Sequence, residues 1–159
     1  MAKLRCVVRV DGSIVTIIRP SEKFRLLGES DDALLDRAAT LTIQKNPRYQ
    51  GFTTVDIEET DMPTTRRFRN AWGRVGAKLE VDMPKARTQR LAEIRKDRDK
   101  LLDESDKDIL RDQEQGGAKQ AALRAYRQAL RDLPTTLNLD AILTPEALNT
   151  FRPTFPVKP

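Results

Sequence analysis

The sequence predicts an α+β fold: a small antiparallel β-sheet with one covering helix, then a long antiparallel helical hairpin and an extended proline-rich tail. Three observations carry it. Two β-branched runs flank Asp11-Gly12-Ser13; Ala86 to Glu114 runs without glycine or proline; and Pro134, Pro145, Pro153, Pro156 and Pro159 punctuate the remainder. The implied division is 1–83 for the sheet domain, 84–134 for the hairpin and 135–159 for the tail.

Leu4 to Val10 and Ile14 to Ile18 are short strands, and an Asp-Gly pair between such runs is a strong hairpin signal. Pro20 ends the second strand. Ser30, Asp31 and Asp32 offer N-caps for an amphipathic helix over Ala33 to Leu41, stopped by Asn46-Pro47. Phe52 to Glu58 alternates as a half-buried strand does, which gives the hairpin the third strand that a stable sheet needs. Lys78 to Asp82 reads as a further strand, the second arm of a hairpin that begins near Ala71.

Pro84 suits a first helical turn. In the helix that follows, Leu91, Ile94, Leu101, Leu102, Ile109 and Leu110 line one side. At 1.5 Å per residue it reaches on the order of 40 Å, so it needs a partner. Gly116-Gly117 breaks it, and Ala118 to Leu133 forms a second helix with Ala122, Leu123, Tyr126, Ala129, Leu130 and Leu133 on one face. Leu91, Ile94, Leu101 and Leu102 are expected to pack against Leu123, Tyr126, Leu130 and Leu133. Pro134 is expected to stop the second helix. Beyond it, one short helix over Pro145 to Thr150 interrupts a segment rich in apolar side chains, which implies an arm that docks on a partner's surface with Phe151 and Phe155 among its partner-binding residues.

Composition narrows the function. The 159 residues include no histidine and a single cysteine, which removes the commonest general base, the commonest metal ligand and any intramolecular disulfide. Buried packing is the better reading of Cys6. No phosphate loop, nucleophile elbow or EF-hand spacing is present. The expectation is a non-enzymatic chain with no catalytic residues, no cofactor and no metal. No apolar run approaches the ~20 residues that cross a bilayer, so the chain is read as soluble, made in the cytoplasm, and without membrane contact. A net charge of +5 allows either nucleic acid or an acidic protein surface as partner.

Two segments stand out as partner-binding candidates. In Arg66 to Trp72, Arg67, Phe68, Arg69 and Trp72 interleave cations with aromatics, a composition that stacks bases but also makes protein hot spots. Trp72 has a structural reading as well, anchoring the sheet to the long helix. Protein contact is favoured, with a basic nucleic-acid-binding protein as the alternative. The acidic run Asp97 to Asp108 is interleaved with Lys96, Arg98, Lys100 and Lys107, which makes it a solvated, salt-bridged face. On the second helix Arg127 and Arg131 form an i,i+4 ridge open to an acidic partner or to the first helix's carboxylates.

The run Ile94-Arg95-Lys96-Asp97-Arg98-Asp99-Lys100-Leu101-Leu102-Asp103-Glu104-Ser105-Asp106, followed by Tyr126-Arg127-Gln128-Ala129-Leu130-Arg131-Asp132-Leu133-Pro134, resembles the phage tail assembly chaperone family. The family pattern is an arginine-rich helix ending Leu-Leu-x-x-Ser-Asp, then a Tyr/Trp-Arg-x-x-Leu-Arg-Asp-x-Pro helix end, then a proline-containing tail. The likeness runs from about Arg87 to Pro159. It lacks the family's tryptophan-containing ending, Phe151 and Phe155 standing there instead, and has an insertion after Asp106. The N-terminal half resembles small proteins encoded beside phage tail-fibre and baseplate genes. The resemblance implies assembly or structural attachment through tail-fibre, baseplate or other tail proteins, with self-association allowed, in the host cytoplasm during assembly or in the virion tail.

Overall fold

The computed structural model describes residues 3–159, which separate into two compact units, one up to Asp82 and one over Met83–Pro159. It is an α+β protein of small antiparallel sheets and long helices.

In the first unit β1 (Lys3–Val8) lies between β2 (Ile14–Ile18) and β3 (Thr53–Glu58), antiparallel to both. The Asp11 carboxylate accepts from the backbone N–H of Ser13 at 2.9 Å and from its hydroxyl at 2.6 Å, while Gly12 takes φ 80°, the left-handed geometry that glycine adopts without a Cβ clash. A central strand is covered on both faces, which is why Leu4 to Val8 are all buried rather than alternating. Leu4, Cys6 and Val8 point to a cluster with Ile57, Trp72 and Leu79, the last two from the hairpin β4 (Trp72–Val75) and β5 (Lys78–Val81).

Arg5 points to the opposite face, toward α1 (Asp31–Gln44), which buries Leu34, Leu35 and Ala39. Ser30 caps α1 by accepting from Ala33 N at 3.2 Å. Arg5 is 8% exposed. Its Nε and Nη2 fork onto Asp56 of β3 at 2.6 and 3.0 Å, and Nη1 pairs with Asp36 of α1. Lys3 adds Asp32 at 2.7 Å and Asp56 at 3.0 Å. These charges tie helix to sheet where the apolar pattern alone would not fix the helix's rotation.

The second unit contains α2 (Met83–Glu114), α3 (Gln120–Thr136) and α4 (Pro145–Thr150). Pro134 does not stop α3, which continues to Thr136. The helix runs through the proline without the bond that an N–H at 134 would donate to the Leu130 carbonyl, and it ends two residues later.

The short helix over Pro145–Thr150 and the irregular chain after it are as expected, but the segment lies against its own unit instead of standing free as a docking arm. Leu139 and Leu148 are buried, and the segment lies along α2. Arg87 donates to the Ile142 carbonyl at 2.8 Å, Arg90 to the Phe151 carbonyl at 2.8 Å, and Lys158 pairs with Asp108 at 2.6 Å. The apolar groups that suggested a foreign surface find one on their own chain. Arginines of α2 accept the task of satisfying carbonyls that no helix covers.

Candidate protein-binding site

The hairpin turn is closed from α2. Asp112 is buried; its carbonyl accepts from Gly117 N at 2.7 Å and its carboxylate oxygens accept from Lys119 N at 3.1 and 3.2 Å. A carboxylate there satisfies a backbone donor at the start of α3 and complements its dipole. Gly116 and Gly117 supply the positive φ values, 98° and 75°, that turn the chain back.

The two ends of the sequence motif meet across this hairpin. Arg127 reaches from α3 to α2, where Nη1 donates to Ser105 Oγ at 2.8 Å and ion-pairs with Asp106. Ser105 is fully buried, and its hydroxyl donates in turn to the Leu102 carbonyl at 2.6 Å. Below this polar junction Leu123, Tyr126, Leu130 and Leu133 of α3 and Ile94 of α2 are buried. Leu91, Leu101 and Leu102 are half-buried and Leu110 is 61% exposed, so the stripe on α2 is narrower than the sequence suggests. Arg90 occupies part of it, 4% exposed, spaced four residues from both Ala86 and Ile94.

The partner-binding candidates separate into exposed and internal groups. Arg67, Arg69 and Arg131 are exposed. Phe68 and Trp72 are 0% and 2% exposed, so neither offers a partner the open aromatic face that the sequence suggested: large aromatic side chains contribute most by leaving water, and these have already done so. Arg127 is correspondingly engaged inside the hairpin. Phe151 and Phe155 are half-buried, with the Phe151 carbonyl held by Arg90.

Sequence reasoning passed over the roles of Arg5, Arg90, Ser105 and Asp112. Arg90 had a visible signal, a cation at the spacing of the buried stripe. Ser105 and Asp112 had none, because their partners lie 22 and 7 residues away.

Electrostatics follow these contacts. The Arg5 hydrogen bond holds the Asp56 carboxyl down at about 2, with Lys3 assisting. Burial pushes the Cys6 thiol up to about 11. Asp108 raises Lys158 above its ordinary value. Among the described residues no group of three or more His, Cys, Asp or Glu side chains is placed to hold a metal ion, and no helix is long and apolar enough to cross a membrane.

No curated protein and no solved structure matches the chain. Residues 91–147, which take in most of α2, the turn, all of α3 and the start of α4, match the family model described as phage tail assembly chaperone protein, and the Arg127–Ser105 junction lies within that stretch. The match lies wholly within the second unit.

Proposed function

We propose that this chain is a non-enzymatic phage protein that works by binding other tail proteins, as an assembly chaperone made and acting in the host cytoplasm. The observation that carries this reading is the match over 91–147, which falls on a hairpin whose Arg127–Ser105 contact is internal. Arg127, Ser105 and the buried leucines build the scaffold, and recognition falls to the outward side of α3, where Arg124, Arg131 and Gln128 are exposed. Arginine suits that task because its fork pairs bidentately with carboxylates. Tail-fibre and baseplate proteins are the proposed partners.

Affinity capture from infected cells, with quantitative mass spectrometry of purified virions alongside, tests the proposal. A chaperone is expected to co-purify with a tail protein from the lysate and to be missing from the particle. Fixed stoichiometry in the virion would make it a structural component of the tail. Recovery without any tail protein from both samples would end the reading.

A further inference from the structure

The first unit holds a small cavity lined by Ile17, Arg19, Met62, Arg66, Arg69 and Trp72. Three guanidiniums line it and no carboxylate does. Ile17, Met62 and Trp72 give it apolar lining, and the indole Nε1–H of Trp72, a residue only 2% exposed, has no hydrogen-bond partner among the described residues. Buried donors are almost always satisfied, so one left over at the wall of a basic cavity points to an acceptor from outside.

We infer that this cavity is a binding site for a single acidic side chain of a partner peptide, its carboxylate held by Arg66 and Arg69 and its neighbouring apolar residue resting on Ile17 and Met62. The inference goes beyond the proposed function and does not rest on the match to the second unit. Size decides against a small-molecule ligand: the cavity measures about 100 Å³, and such sites run to roughly 300–1,000 Å³.

Charge around the cavity decides against a nucleic acid. Glu59 pairs with Arg19, and Glu58 and Asp61 adjoin it in the chain. A polyanion laid across the site would meet those carboxylates along its length, whereas one inserted glutamate has beside it only Glu59, whose charge Arg19 already pairs.

Trp72 is the only tryptophan, so its indole cross-peak in a ¹H–¹⁵N spectrum of the full chain reports on this cavity alone. The probe is a capped tripeptide of leucine, glutamate and leucine, with the glutamine version as control. The indole peak is expected to move saturably with the glutamate peptide, to bind the glutamine peptide at least about tenfold more weakly, and to stop responding in Arg66→Gln/Arg69→Gln. Both arginines are exposed, so the rest of that variant's spectrum is expected to be unchanged. A peak that stays fixed at millimolar peptide, or moves equally with both peptides, would overturn the inference. So would a response to a short single-stranded oligothymidylate in the absence of any response to peptide, which would give the cavity to phosphate.

Discussion

Arg127 and Ser105 join the two helices of the hairpin through one hydrogen bond of 2.8 Å, made between a mostly covered guanidinium and a fully buried hydroxyl. Asp106, the other partner of Arg127, is 60% exposed at its side chain, so that ion pair adds little. Truncating Arg127 to Ala is therefore expected to lower stability by about 1–3 kcal/mol, mostly through the loss at Ser105, while Asp106→Ala lowers it by less than about 1 kcal/mol. Urea titrations followed by far-ultraviolet circular dichroism would check the order. A larger loss for Asp106→Ala would place the strength of the junction in the ion pair.

The core of the hairpin makes a second comparison available. Leu130 is fully buried and Leu101 only half so. Leu130→Ala is expected to lose about 2–5 kcal/mol, and Leu101→Ala clearly less, in the same titration. Equal losses would mean that α2 presents a broader apolar face to α3 than the structure shows.

Removal of residues 136–159 is expected to lower the thermal transition of the second unit substantially. It takes away Leu139 and Leu148 and leaves Arg90 buried without its Phe151 acceptor. Leu148→Ala gives the milder version, expected at about 2–5 kcal/mol. An unchanged melting temperature after the deletion would restore the docking-arm reading.

Acid sensitivity of the first unit is expected to come from Asp56. Its folded value of about 2 lies below the ordinary 3.8, so the stabilisation it brings is fully present above the ordinary value and is lost as pH falls through about 2. Asp56→Asn is expected to be less stable than the parent at pH 7 and to show a flatter decline between those two values. Tryptophan fluorescence of acid titrations, parent against variant, measures it.

Cys6 provides a probe of opening in the same unit. It is fully buried with its thiol pushed up to about 11, and the thiolate is the reactive form. In native buffer near pH 8 it is expected to react with a disulfide reagent at least a hundredfold more slowly than in denaturant, and Arg5→Ala is expected to accelerate the native reaction by loosening the strand that carries it.

Much of this architecture is legible in the sequence because the signals are local. The Asp11-Gly12 turn, the Ser30 cap, the glycine pair and the long proline-free helix each declare themselves within a few residues. Proline at 134 misleads by two residues, since the helix passes through it and ends at Thr136. What the sequence hides is pairing over distance. Arg5 with Asp56 and Arg90 with Phe151 are separated by 51 and 61 residues, and each charged residue looks like surface until its partner is known. The same limit explains Phe68 and Trp72. Their interleaving with arginine is a composition, and composition does not tell which of two alternating side chains turns inward.

The span from Arg90 to Phe151 also sets an order of events during synthesis. The three strands, α1 and the second hairpin pair within residues before Met83, so the first unit can close while the second is still being made. The long helix has no such early completion: α3 can dock as soon as it emerges, but a guanidinium in the middle of the buried stripe waits for a carbonyl 61 positions downstream. Until that residue leaves the ribosome, the nascent chain carries a folded first unit and a helical pair that still lacks Leu148 and the rest of the segment that packs on α2.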